Sequence, residues 1–145
     1  DTERAILQLA RREAAAGESA GESLAPLTQA ELFSARNEVL AVHMAENLEH
    51  YLIEIIMATR DPSPYGEELA RWVQWGASPR ATIALDRCAR AHAWLAGRDY
   101  VAPEDIQAMA FDVLRHRVLL SYEAEAEGIT PDRFIDTLIH QIAVP

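Results

Sequence analysis

Lysine is missing from the chain: all 13 basic side chains among its 145 residues are arginines. That absence removes the lysine of a G-x-x-x-x-G-K-[ST] phosphate loop, Schiff-base chemistry and a lysine general base. Cysteine is nearly missing too. Cys88 alone excludes an intrachain disulfide and a multi-cysteine zinc site, and points to a reducing, cytoplasmic setting. No apolar run approaches the ~18 residues of a membrane span. The first residues, DTERAILQLARRE, are charged throughout, unlike a secretory signal. They do not open on Met, and the chain reads as a fragment of something longer. A surplus of positive charge is also lacking: the formal net charge is -10. This argues against nucleic acid as a partner, because such binding needs basic patches that displace counterions. The argument concerns the average surface and leaves room for a local basic site.

What is present is ordinary for a globular domain: half the residues are apolar and a quarter are charged. The length suits a single core. Six helices are expected. Residues 3–16 carry Ile6, Leu7, Leu9 and Ala10 among charges. Thr28, with Glu31 three positions on, forms a capping-box pattern at the head of a helix whose apolar side is Leu32, Val39, Leu40 and Val42. In residues 45–59, Leu48, Leu52, Ile55, Ile56 and Thr59 recur at helical spacing, and DPSPYG then stops the helix. Residues 79–96 set Ala81, Ala84, Leu85, Cys88, His92 and Leu95 on one face, and Gly97 closes them. Pro103 opens a helix with Glu104 and Asp105 in its first turn and a stripe of Ile106, Met109, Ala110, Val113 and Leu114. Thr130 and Pro131 open the last, with Phe134, Ile135, Leu138, Ile139 and Ile142 inside. GEELARWVQW has room for two helical turns, with Leu69, Trp72 and Val73 on one side. HRVLLSY, near 117–122, suits a short extended piece, and YEAEAEG a short helix. The expected fold is all-α, a bundle of about six helices with room for one short extended segment near 117–122.

Several patterns invite a chemical reading. GESAG at 17–21 matches the G-x-S-x-G nucleophile elbow around Ser19. That motif needs a strand before it and a helix after it, whereas here an Ala-rich helix precedes and ESLAP follows. GES recurs at 21–23, as in a simple flexible loop over 17–27. His43 and His50 are seven apart, with Glu46 between them, but a metal site needs a further convergent ligand. The bland reading, unconnected helix histidines, is the stronger. His92 reads as a hydrogen-bonded packing residue and Cys88 as a small core residue. Trp72 and Trp75 suit either an aromatic surface or packing onto the bundle, with packing preferred. Arg115, His116 and Arg117 precede the acidic YEAEAEG, and ion pairs among these charges are the plain reading.

GASPRA at 76–81 poses the sharper question. Ser78 suits an N-cap and Pro79 the first helical position, so Arg80 falls in the first turn. The helix dipole disfavours a cation there by ~0.3–1 kcal/mol. Guanidinium and free N–H groups together suit an anion such as phosphate. Equally, Arg80 reaches solvent or a nearby carboxylate, and the residues alone do not choose.

The stretch GASPRATIALDRCARAHAWLAGRDYVAPEDIQAMAFDVLRHRVLLSYEAEAEGITPDRFIDTLI resembles the C-terminal helical lid of MoxR-family AAA+ ATPases. The likeness runs from 76 to about 139, with GASPRA, GRDYVAPEDI, VLRHRV and SYEAEAEGIT in the family's order, and ERAILQLARR is similar to its first helix. The resemblance implies that Arg80 is the sensor 2 residue, approaching the γ-phosphate of ATP, with Ala77, Ser78 and Pro79 forming the helix start near the nucleotide. It implies that a nucleotide-binding core, absent from this chain, holds ATP and Mg2+. Residues 1–27 would then join that core to the lid at 28–145. It further implies a cytoplasmic chaperone, a hexameric ring of subunits, a client protein, and often a partner with a von Willebrand factor A domain.

The chain departs from the whole family in having neither Walker motif nor αβα core, and the arginine finger would lie upstream. No catalytic residue is therefore expected here, and the chain alone should not hydrolyse ATP. Ala102 stands where the family pattern has a capping Thr, which weakens one cap by ~1 kcal/mol. The competing expectation is an acidic helical adaptor that binds a protein through Trp72 and Trp75 or through YEAEAEG.

Overall fold

Caps and glycines place the helix ends where the sequence signals them. In the computed structural model, which describes residues 2–16 and 26–145, the order is α1 (Thr2–Ala16), α2 (Gln29–Ala41), α3 (Glu46–Arg60), a 3-10 turn (Ser63–Tyr65), α4 (Glu67–Trp72), β1 (Val73–Trp75), α5 (Pro79–Leu95), α6 (Pro103–Leu114), β2 (Leu119–Leu120), α7 (Tyr122–Ala126) and α8 (Pro131–Gln141). The six expected helices are α1, α2, α3, α5, α6 and α8. The two short segments left open supply α4 and α7. GESAG and most of the 17–27 loop fall outside the described residues. No helix among the described residues is long and apolar enough to cross a membrane.

The capping box forms as expected: the Thr28 N–H donates to Glu31 Oε2 at 2.7 Å, and the Glu31 N–H to Thr28 Oγ1 at 3.2 Å. Thr130 Oγ1 accepts from the Arg133 N–H, and Ser121 Oγ from the Ala124 N–H. Gly97, at φ 75°, turns the chain out of α5 in the left-handed conformation that suits glycine.

By internal contacts the chain divides into two units, residues 1–33 and 34–145. The first holds α1, whose Ile6, Leu7 and Leu9 are exposed. The second holds the core. There α5 packs most extensively on α6 and then on α3, and α8 closes against α6 and α3. Ile55, Leu85, Ile106, Leu114, Phe134 and Ile135 lie at its centre with no exposed surface.

Three expectations need correction. The buried stripe of α5 is Ala81, Leu85, Ala89 and Ala93, while Leu95 is exposed and His92 sits at the edge. Three alanines let the neighbouring backbones approach closely, so burial follows the small side chains rather than the larger apolar ones. Of the apolar side expected for α2, only Val42, just past the helix end, is buried; Val39 is half-buried, and Leu32 and Leu40 lie open. GEELARWVQW does not stay helical to its end. After Trp72 it becomes β1, which pairs antiparallel with β2, Val73 opposite Leu120 and Trp75 opposite Leu119. The expected extended piece after α6 is this second strand.

Candidate functional site

The start of α5 is held from behind by the end of α3. Gly76 lies so close to that end that a Cβ built on it would stand 2.6 Å from the Arg60 Cα, and nearer still to the Thr59 carbonyl. The next peptide is gripped on both sides. The Ala77 N–H donates to Thr59 Oγ1 at 2.9 Å, and Arg60 Nε donates to the Ala77 carbonyl at 2.6 Å. Thr59 Oγ1 in turn donates to the Ile56 carbonyl at 2.7 Å. Thr59 and Ala77 are both buried. The sequence reading assigned Thr59 to the apolar stripe of its helix and Arg60 to nothing. Eighteen residues separate Thr59 from Ala77, so no local pattern reports the bond.

Ser78 takes the N-cap position with extended backbone, but its side chain makes no capping hydrogen bond. Pro79 is the first helical residue and has no N–H to satisfy. Arg80 follows, exposed, with no hydrogen bond or ion pair among the described residues. The first turn of α5 contains no acidic residue, whereas every other α-helix among the described residues has at least one there. Guanidinium, uncapped N–H groups and dipole all favour an anion at this point, and nothing in the chain supplies one.

Along the same face, Ile83 and Arg87 follow Arg80 at i+3 and i+7. Ile83 is 55% exposed. It opens onto a groove of about 390 Å³ between α5, α3 and the end of α2, lined also by Leu40, Met44, Ile53 and Arg87. Glu49 and Asp86 line it as well, so the groove beside Ile83 is apolar with charges of both signs.

The other candidates take structural roles. His92 Nδ1 lies 2.6 Å from Asp105 Oδ1, so its expected role as a hydrogen-bonded packing residue holds. Sequence reasoning gave Asp105 only a dipole role. In the structure it is fully buried, accepts two hydrogen bonds from Arg98, at 2.5 and 2.7 Å, and accepts one from the Ala102 N–H at 2.7 Å. That last bond caps α6 from its third position, where Ala102 has no side chain able to do so. The spacing from Ala102 to Asp105 was the available signal. Cys88 is half-buried against the core.

His43 and His50 do not share a helix face. His43 precedes α3 and bridges to Tyr100, its N–H donating to the Asp99 carbonyl and its carbonyl accepting from the Val101 N–H. Among the described residues no group of three or more His, Cys, Asp or Glu side chains is placed to hold a metal. Arg115 pairs with Asp112 and Asp132, rather than with the glutamates of YEAEAEG, because α8 starts beside the end of α6. Arg117 donates to the Val113 carbonyl and lies against the His116 ring. The two tryptophans separate. Trp72 is buried with Arg133 stacked over its ring at 5.8 Å, and Trp75 is 67% exposed.

Comparison with known proteins places the fold. The AAA lid domain family model matches residues 69–138, which run from α4 into α8 and include the whole clamped start of α5. Chaperone MoxR1 of Mycobacterium tuberculosis is 41% identical over 105 residues, covering 72% of this chain and 27% of that protein. Protein MoxR of Paracoccus denitrificans is 38% identical over 110 residues, covering 71% of this chain and 32% of that protein. A crystal structure of a candidate ATPase from Cytophaga hutchinsonii superposes with a TM-score of 0.84 at 39% identity, over 98% of this chain and 43% of that one. The chain thus spans about a third of the length of the MoxR proteins it matches. On its helical fold, the family-model match and these relatives, the chain belongs to the AAA lid domain family, in its MoxR group.

Proposed function

We propose that this chain is the lid of a MoxR-type ATPase, in which Arg80 approaches the γ-phosphate of ATP and reports its presence. One observation carries the reading: Arg80 stands exposed and unpartnered in the only acid-free first turn among the described α-helices. A phosphate bound there satisfies the guanidinium, the uncapped N–H groups and the dipole together. Arg80 and the exposed Ser78 suit a phosphoryl group, while Ala77, buried with both its polar groups taken, and Pro79, which has no N–H, shape the helix start beside it. The adenine, the remaining phosphates and Mg2+ belong to a nucleotide-binding core, because the sequence has no lysine and, among the described residues, no group of three or more His, Cys, Asp or Glu is placed to hold a metal. ATP supplies the hydrolysable bond, and this chain supplies one positioned cation. Neighbouring subunits of a ring, a client, a von Willebrand factor A partner and a cytoplasmic setting come with the same reading.

The test is ATP turnover and ATP affinity of the full-length protein, wild type against Arg80→Ala, with circular dichroism as the control for folding. Removing one transition-state cation is expected to lower turnover at least tenfold. Unchanged turnover with an intact fold would sink the reading. The exposed patch of Trp75, its cross-strand neighbour Leu119 and the 84% exposed Tyr122 would then favour the acidic adaptor. Trp72, being buried, is no part of such a surface.

A further inference from the structure

We propose that Thr59 and Arg60 are positioning residues for Arg80, fixing the start of α5 to the end of α3 so that Arg80 cannot shift without moving α3. The inference rests on the reading of Arg80 given above and adds to it the device that aims the guanidinium.

The geometry is one of full restraint. The two polar groups that border Ala77 are each taken by a side chain from consecutive residues of α3: the N–H by Thr59 Oγ1 and the carbonyl by Arg60 Nε. The Thr59 hydroxyl has a single proton and gives it to the Ile56 carbonyl inside α3. Its lone pairs are thereby left for Ala77, and the direction of the bond is fixed. Gly76 is pressed against the Thr59 carbonyl with no room for a side chain, so the chain cannot slide toward α3. Between Ala77 and Arg80 stand only Ser78 and Pro79, and the pyrrolidine ring locks φ at the second of these. The link between α3 and the Arg80 backbone is thus two residues long, one of them ring-locked. None of these restraints uses the Arg80 side chain, which stays free to meet a ligand. A loop arginine would answer phosphate by local motion. An arginine mounted in this way passes the displacement to α3, and through it to the packed core.

The experiment uses the full-length protein and reads kcat and KM for ATP in a double-mutant cycle. Thr59→Val keeps the shape and removes the hydroxyl, and Thr59→Ser restores it. Thr59→Val is expected to lower kcat/KM about tenfold, Thr59→Ser to recover most of the loss, and Thr59→Val to change kcat/KM less than twofold when Arg80 is already alanine. That last result separates positioning from general weakening, which would act equally on both backgrounds. Loss of similar size with and without Arg80 overturns the proposal. So does unchanged turnover in Thr59→Val while Arg80→Ala is impaired, an outcome that leaves the phosphate reading standing. If Arg80→Ala itself changes nothing, the phosphate reading falls and this inference with it. Should Thr59→Val fail to fold, the exposed Arg60→Met decides. It removes the bond to the Ala77 carbonyl, together with a long contact to Met57 Sδ within α3, and is expected to cost three- to fivefold, again only when Arg80 is present; no loss overturns the proposal.

Discussion

Asp105 is the residue on which the α5–α6 corner turns. Its carboxylate has no exposed surface, and burial pushes its pKa up. The Arg98 guanidinium, the Ala102 N–H and His92 pull the other way and prevail, holding it at about 2, below its ordinary 3.8. A carboxylate whose pKa is depressed by folding adds stability that is fully present above its unfolded pKa. That stability is lost as pH falls through the folded value. For Asp105 the window lies between about pH 4 and pH 2, and the contribution is about 2 kcal/mol. Asp105→Ala is expected to cost more, about 3 kcal/mol at pH 7, because it strands the Arg98 charge and the Ala102 N–H. Urea unfolding of wild type and Asp105→Asn across pH 7 to 2 checks the sign. The gap between them should be constant down to about pH 4 and narrow below it. A gap that widens on acidification would mean that the carboxylate is not held ionised.

At the scale of elements, the helices were legible and their neighbours were not. Thr28 with Glu31, Thr130 with Pro131, and Gly97 are local signals, because a cap is satisfied within four residues of itself. The position of Arg80 in a first turn followed from Ser78 and Pro79 in the same way. The hold on that turn did not, because Thr59 and Ala77 meet only once α3 and α5 have packed. The buried face of α5 was misread for a related reason. Alanine is nearly silent in a hydrophobic pattern, and close approach of α6 and α3 selected Ala81, Ala89 and Ala93 over the larger Leu95. Likewise β1 looked like more helix until β2 was available to pair with it. Gly76 tests this level directly. Its Cβ would collide with the Thr59 carbonyl and the Arg60 backbone, which are helix main chain rather than a yielding side-chain end. Gly76→Ala is therefore expected to destabilise the fold by roughly 1–3 kcal/mol, as overpacking does. Glycines in open positions give the contrast. A substitution at Gly97 meets no atom within 4 Å and is opposed only by its positive φ. Thermal unfolding of Gly76→Ala is the measurement, and an unchanged midpoint would show that α3 and the α5 start are not in the close contact described.

For the whole molecule, charge limits what the chain can do by itself. Twenty-three acidic side chains face 13 arginines, and ATP is a polyanion. Of those arginines, Arg90, Arg98 and Arg115 are engaged with carboxylates, and Arg60 and Arg117 with carbonyls. Among the described residues, Arg80 is the cation in an α-helix first turn that holds no acid, with Arg87 two turns along. One exposed guanidinium with a helix dipole gives an anion little more than ~1–2 kcal/mol in water, and salt screens most of it. The isolated chain is therefore expected to bind ATP with a Kd in the millimolar range or weaker. Binding should weaken further as salt is raised from about 50 to 300 mM, be lost in Arg80→Ala, and bring no turnover. Amide chemical-shift titration detects affinities that weak and shows where they arise. Shifts at Arg80, Ala81 and Thr82 that vanish in the variant would assign the anion to the start of α5. Micromolar affinity, or ATP hydrolysis by the purified chain, would mean that these residues hold far more of a nucleotide site than one arginine on a clamped helix.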